Sequence, residues 1–325
     1  MIRAAMYGLG NWGQTLIRSV QTSSDKIRFT HGISRNPDRL GDFSRQMSLT
    51  ITNSFQEVLA DPDIDAVILA TPHSQHAEQI KQAAETGKHV YVEKPMALTA
   101  ASAQEAADYC AEKNVILAVG FNRRAAPAFI GLQQTIESGQ IGEILHVEGQ
   151  HSGPSGYRLK EGNWRGTRAE APGGGMTARG IHVLDGMIAL HGKVQSVHAM
   201  SERKILEEAE VDDTTALLMR FENGVTGYLA SVFATADLYR LQVFGSKGWA
   251  EMKGPYQLST SDLQGKLNTI TYPGDSIEKG ILEKFADAIN GEAPYPVNPY
   301  DAVNGIAVVE AVVKSAESGD TVKIN

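Results

Sequence analysis

Apolar positions follow two different rules along the chain. Through residue 122 they gather into short runs that alternate with helical stretches. Residues 2–7, 27–33, 66–70, 89–92 and 115–121 read as strands, with helical patterning at 14–20, from Asn36-Pro37-Asp38 onward, at 54–60, from His76 to Thr86 and at 100–113. The run Ala66-Val67-Ile68-Leu69-Ala70 is uninterrupted rather than alternating, as expected of a strand buried on both faces of a parallel sheet. Beyond residue 122 strands crowd together instead. Residues 143–151, 194–203, 214–222, 225–233, 239–245 and 249–253 have strand character and are joined by turns such as Glu222-Asn223-Gly224 and Ser246-Lys247-Gly248. Helical patterning returns at 176–190, 276–290 and 300–318, before a short strand at 321–324. The expected fold class is α/β: an N-terminal doubly wound domain over 1–122, and a C-terminal α+β domain over 123–325 built on an open, mainly antiparallel sheet.

Composition narrows the class further. With 325 residues, 42% hydrophobic and 21% charged, the chain suits a two-domain globular protein. A net charge of −8 argues against a nucleic-acid surface. The N-terminus enters a strand without a basic and apolar leader, and no apolar run approaches the roughly 18 residues of a membrane span. The expectation is a cytoplasmic chain with no membrane partner. Cys110 is the single cysteine, so no intrachain disulfide can form, and its helical setting predicts a packing role.

The candidate chemistry begins at Gly8-Leu9-Gly10-Asn11-Trp12-Gly13, between the first strand and the first helix. Gly8 permits a sharp turn, Gly10 removes the Cβ that would keep a pyrophosphate off the backbone, and Gly13 lets helix and strand pack closely. The helix N-terminus then offers N–H groups and a positive dipole end to phosphates. The second strand ends about 20 residues later, where a ribose-reading residue is expected. That position carries Ser34-Arg35, with Arg39 one turn on; a hydroxyl and guanidinium suit a 2′-phosphate better than an acidic residue would, so NADP is expected, with NAD as the alternative.

Two further loops arrive at the same sheet edge. Thr71-Pro72-His73 with His76 follows the third expected strand, and Glu93-Lys94-Pro95 ends the next strand, where Pro95 restricts Lys94 to extended backbone. His73 and His76 have no nearby carboxylate or cysteine, and no metal is expected. In the second half, His182 and Asp185 lie three apart on the helix that follows Pro172-Gly173-Gly174-Gly175, and so share a face.

Taken with Gly120-Phe121-Asn122-Arg123-Arg124 and Trp164-Arg165, these motifs resemble in order and spacing the Gfo/Idh/MocA oxidoreductases, over essentially the whole chain. The resemblance implies an N-terminal Rossmann domain, a C-terminal domain whose open sheet often mediates oligomerisation, and hydride exchange between NAD or NADP and a hydroxyl or carbonyl carbon of sugars, cyclic polyols or related compounds. By the same resemblance Lys94 matches the lysine near nicotinamide and reactive oxygen, His182 the acid/base histidine, and Arg165 a residue beside cofactor or substrate; Arg123 and Trp164 join the cofactor set, and Asp185 the substrate set. The family often has Asp four residues before the histidine, where this chain has Ala178, and Asn where it has His73. With Ala178 in place of the acid, room for a bulkier or less polar substrate group is expected. Competing readings are a cofactor-binding regulator without turnover, and a redox-neutral lyase or hydrolase that oxidises its substrate transiently. A homodimer or homotetramer is expected, because Val225, Tyr228, Leu229, Val232 and Phe233 place apolar residues on both faces of one strand of an open sheet.

Overall fold

In the computed structural model, which describes residues 1–324, strands β1 (Ile2–Tyr7), β2 (Ile27–Ile33), β3 (Thr50–Thr52), β4 (Ala66–Leu69), β5 (His89–Val92) and β6 (Leu117–Val119) form one parallel sheet in the order β3-β2-β1-β4-β5-β6. The central strands carry the apolar runs. Ala66, Val67, Ile68 and Leu69 of β4 are fully buried, as their uninterrupted pattern requires. The order reverses between β1 and β4, so the turn after β1 opens at the switch point where this architecture binds ligands.

The first unit comprises Met1–Ala97, Ala101–Ala125 and Asp275–Tyr300. Its last segment departs from the expected division at residue 122, which assigned everything later to the second domain. Helix Ile277–Ile289 returns because its apolar stripe, Ile281, Leu282, Phe285 and Ala286, is buried with Ile2, Leu16, Ile17 and Phe29. Ser276 caps it, accepting a hydrogen bond from Lys279 N–H at 3.3 Å. The segment after Asn36 starts as a 3-10 turn, Pro37–Leu40, before helix Gly41–Met47. Cys110 is buried in helix Ala100–Glu112, where burial pushes its thiol up to about 12.

The second unit, Leu98–Ala100, Ala126–Gly274 and Asp301–Asn325, is built on β7 (Ile144–Ser152), β8 (Val194–Glu202), β9 (Thr214–Phe221), β10 (Thr226–Val232), β11 (Leu238–Gly245), β12 (Gly248–Lys253), β13 (Gln257–Asp262), β14 (Leu267–Thr271) and β15 (Val322–Lys323). Their order is β14-β13-β12-β11-β7-β10-β9-β8-β15, and β7 pairs parallel with β10 while the other pairs are antiparallel. Helices Pro127–Glu137, Ile181–His191 and Pro299–Ser318 cover one face. A Cβ on Gly149 of β7 would collide with Val183 and Met187, so that glycine sets how closely Ile181–His191 approaches. On the opposite face Leu218 and Met200 are 58% and 69% exposed. Strands β13 and β14 had no expectation in the sequence, since Ser and Thr fill β13 and every residue of β14 is exposed. No helix among the described residues is long and apolar enough to cross a membrane.

Candidate functional site

In the first unit, four loops leave one edge of the parallel sheet. Gly8 adopts φ +106°, which favours glycine, and a Cβ there would collide with the carbonyl of Ala70 at the end of β4. A Cβ on Gly13 would collide with the carbonyl of Gly8. Around Gly10, by contrast, no atom lies within 4 Å of the Cβ position. Helix Asn11–Val20 begins there without a side-chain cap and without an acidic residue in its first turn. The turn is therefore closed where the fold needs contact and open where a phosphate would sit.

The loop after β2 is held by Ser34, whose N–H donates to the Thr52 carbonyl at 3.0 Å and whose Oγ accepts from Asn36 N–H at 3.2 Å. Arg35 and Arg39 are exposed beside it. After β4, Thr71 is buried and donates from Oγ1 to Gln79 at 2.6 Å. His76 is fully buried, with Nε2 3.0 Å from the Thr71 carbonyl and Nδ1 2.9 Å from the Pro95 carbonyl. It ties the Thr71-Pro72 loop to the Glu93-Lys94-Pro95 loop, while His73 is only half-buried, its ring 5.8 Å from that of His76. Among the described residues no group of three or more His, Cys, Asp or Glu could hold a metal ion.

Glu93 is buried at the end of β5, and the Lys94–Pro95 peptide bond is cis. Burial pushes the Glu93 carboxyl up to about 7; the Trp12 indole N–H, the Lys94 ammonium and the Tyr91 hydroxyl at 3.5 Å oppose that rise. Gly120 is required beside it, since a Cβ there would stand 2.8 Å from Glu93 Oε1. Trp12 thus links the glycine turn to the lysine loop. Arg123 lies in the 3-10 turn Asn122–Ala125 just beyond β6, anchored by Asn122 Nδ2 donating to Glu278 at 3.0 Å.

In the second unit, the glycine-rich segment threads between packed elements. Gly174 has φ +53° and no room for a Cβ against Asp212, Gly175 N–H donates to the Asp212 carbonyl at 3.1 Å, and a Cβ on Gly175 would stand 3.0 Å from Phe233. Asp213 fastens the loop behind it: Oδ2 accepts from the N–H groups of Lys204, Ile205 and Leu206 at 2.8, 2.7 and 3.3 Å, bonds that together hold its carboxyl below the usual range despite burial. The sequence reading missed this residue, whose only local signal was an acidic pair before a strand.

The helix expected over 176–190 opens as a π turn, Met176–Gly180, followed by α-helix Ile181–His191; such turns are frequent at functional sites. His182 is half-buried on its first turn and Asp185 is buried three residues on. Ala178 packs against the small apolar cluster of Leu159, Ala171, Leu206, Ala209, Val211 and Phe233. Three residues unforeseen in the sequence gather beside His182 within this unit: His151, near the end of β7, meets its ring, and Tyr239 on β11 and Arg179 on the π turn in turn meet His151. Trp164 and Arg165 occupy the 3-10 turn Trp164–Gly166, where Arg165 N–H donates to Asn163 Oδ1 at 3.1 Å and its guanidinium stacks 4.0 Å over the Trp164 ring.

The family model described as the oxidoreductase family, NAD-binding Rossmann fold, matches residues 2–121, and that described as the GFO/IDH/MocA C-terminal domain matches residues 129–251. Levoglucosan dehydrogenase of Pseudarthrobacter phenanthrenivorans is 30% identical over 325 residues, covering 87% of this chain and 82% of that one. The 1,5-anhydro-D-fructose reductase of Ensifer adhaerens is 28% identical over 278 residues, covering 83% of each. Among solved structures, aldose-aldose oxidoreductase from Caulobacter crescentus with glycerol aligns with a TM-score of 0.88 at 25% identity, over 99% of both chains. Levoglucosan dehydrogenase in complex with NADH and levoglucosan aligns at 0.89 with 23% identity, again over 99% of both, a likeness of fold.

Proposed function

Because the chain belongs to the Gfo/Idh/MocA oxidoreductase family, we propose that it is a nicotinamide-dependent dehydrogenase or reductase of a hydroxyl or carbonyl carbon in a sugar, cyclic polyol or related small molecule, with NADP preferred. The observation that carries this reading is the cradle at Gly10. Its Cβ position is open, and the helix behind it is uncapped and free of first-turn acids, which is what a pyrophosphate requires. Residues Gly8 to Gly13 would hold the dinucleotide, with Ser34, Arg35 and Arg39 toward a 2′-phosphate. Thr71, Pro72, His73, Glu93, Lys94, Arg123, Trp164 and Arg165 complete the proposed cofactor set, and His76 serves it by fixing two of its loops.

A bound nicotinamide supplies or accepts the hydride. The chain's own task is to handle the proton on the substrate oxygen. His182 is the proposed proton acceptor or donor, and Lys94 the cation that polarises the oxygen. Asp185 and Arg165 are assigned to substrate hydroxyls. The polar outer strands and exposed Leu218 and Met200 support a homodimer or homotetramer through the second unit's sheet.

The test is a change in absorbance at the nicotinamide band, with NAD and NADP separately, against levoglucosan, 1,5-anhydro-D-fructose, and a panel of inositols, aldoses and their keto forms. Turnover of at least one polyhydroxylated compound is expected. Tight binding of cofactor with no turnover across the panel would favour a regulator instead.

A further inference from the structure

We propose that His151 is the positioning residue of His182, taking over from a neighbouring strand a task that position 178 cannot perform. The inference rests on the assignment of His182 as the proton-transfer residue. His151 is the penultimate residue of β7 and is 8% exposed. Its ring meets the His182 ring at 5.6 Å between centroids and 61° between planes, an edge contact that restricts how the half-buried His182 ring can rotate.

The bonds of His151 fix its own state. Nδ1 lies 2.9 Å from the Arg179 carbonyl oxygen, and Nε2 lies 3.4 Å from Arg179 Nη1. A carbonyl only accepts and a guanidinium only donates, so Nδ1 carries the proton and Nε2 offers its lone pair. Arg179 therefore holds the His151 ring in one orientation and one tautomer. Tyr239 closes its other side, ring centroids 5.2 Å apart at 73°. Ser231 Oγ lies 3.0 Å from the His151 carbonyl and 3.0 Å from that of Gly175 and shares its one hydrogen between them, which joins the strand end to the glycine-rich segment.

Arg179 is anchored just as firmly. Its Nε donates to Ser155 Oγ at 2.6 Å, and its Nη1 to the Ser152 carbonyl at 2.9 Å and to the exposed Asp237 carboxylate at 3.1 Å. The guanidinium lies against Gly153, where any Cβ would collide with it and with Asp237. Arg179 thus holds His151 through both ring nitrogens from the turn that leads into His182. Ala178, packed against the Leu159 to Phe233 cluster, contributes a methyl group to that cluster and no polar atom.

The test pairs spectroscopy with kinetics on the full-length protein. In protein labelled with 15N-histidine, with the His182 signals identified by their loss in His182→Gln, the His182 ring shifts report tautomer and environment without any substrate. They should move in His151→Ala and move less in His151→Phe, which keeps an edge against His182 and guards against loss of folding. With whichever panel sugar turns over, His151→Ala should lose roughly tenfold to a hundredfold in kcat while KM changes by less than about twofold. His182 shifts unmoved in both variants, with wild-type kcat, would overturn the proposal. A fully active His182→Ala would instead sink the assignment of His182, and the shifts alone would then decide whether His151 sets its ring.

Discussion

The carbonyl of Gly8 occupies the space into which a Cβ on Gly13 would project, so the helix of the glycine turn rests directly on the strand end that precedes it. Gly10, two residues from Gly8, has open space at the same position. One turn therefore contains two kinds of glycine, one needed by the fold and one by a ligand.

Gly13→Ala should accordingly destabilise the first unit by about 1–3 kcal/mol, the usual cost of forcing a methyl group into a filled site. Gly10→Ala should melt with the wild type, yet bind NAD(P)H at least about tenfold more weakly, since its methyl group would enter the phosphate space. Thermal melts beside fluorescence titrations separate the two. Equal cofactor affinity in Gly10→Ala and wild type would show that the turn does not hold the pyrophosphate.

Cofactor choice should follow from the loop after β2. Ser34 is held in place by its N–H on the Thr52 carbonyl and its Oγ on the Asn36 N–H, and Arg35 and Arg39 are exposed next to it. Loss of one charge-assisted contact to a 2′-phosphate costs on the order of 1.5–3 kcal/mol, or roughly tenfold to a hundredfold. Arg35→Ala should lower NADP(H) affinity by that factor and leave NAD(H) unchanged. Equal wild-type affinities for the two cofactors would refute the preference.

These two predictions concern features plainly legible in the chain, because each is local. The glycine spacing, the apolar runs of β1, β4 and β5, and the residues that end them lie within a few positions of one another, and periodicity reads such signals. What was illegible depends on contacts between distant segments. Helix Ile277–Ile289 joins the first unit through Leu282 and Phe285, which look like the stripe of any amphipathic helix. His151 lies 31 positions before His182, on a strand whose alternation says only that it faces inward. The π turn at Met176–Gly180 departs from any 3.6-residue pattern, and Ala178 within it packs against an apolar cluster.

His191, at the end of the helix that carries His182, should make the fold acid-sensitive. It is buried with its ring against Phe221 at 5.6 Å, and burial pushes its pKa down to about 4. Between the unfolded value of about 6.5 and the folded value the unfolded chain binds more protons, so stability is complete above about pH 6.5 and falls as pH drops toward 4, by on the order of 3 kcal/mol. His191→Phe fills the same space without a titrating group. Denaturant melts from pH 7 to pH 4.5 should show a shallower decline in that variant; parallel declines would exclude His191 as the source.

Assembly through the nine-stranded sheet should be visible in solution. Leu218 pairs with Tyr228 across β9 and β10, and Met200 with Ala216 across β8 and β9, so their side chains fall on the face that the three helices leave uncovered. Light scattering at micromolar concentration should give a multiple of the 35.1 kDa chain mass. Leu218→Glu together with Met200→Glu should return it toward a single chain, because like charges would be buried at a symmetric contact. A single-chain mass in the wild type would refute the assembly.

Catalysis should depend on Lys94 and His182 without a third acid at position 178. Interconversion of carbinol and carbonyl moves a hydride and a proton, and the proton must pass through a group able to titrate near neutrality at the reacting oxygen. Histidine has that property without help, whereas lysine acquires it only through desolvation or a neighbouring cation. His182 is therefore the expected acid or base, and Lys94 the ammonium that stabilises charge developing on the oxygen. Lys94→Ala and His182→Ala should each lower kcat by roughly a hundredfold or more and leave NADP(H) affinity within about twofold of wild type. Ala178→Asp separates this arrangement from one that merely lost an acid. Since Ala178 packs among Leu159, Ala171, Leu206, Ala209, Val211 and Phe233, a carboxylate there would be placed against apolar side chains and should lower stability by about 1–3 kcal/mol without raising kcat. A rise in kcat in Ala178→Asp, or a His182→Ala enzyme with wild-type turnover across pH, would show that the proton takes another route.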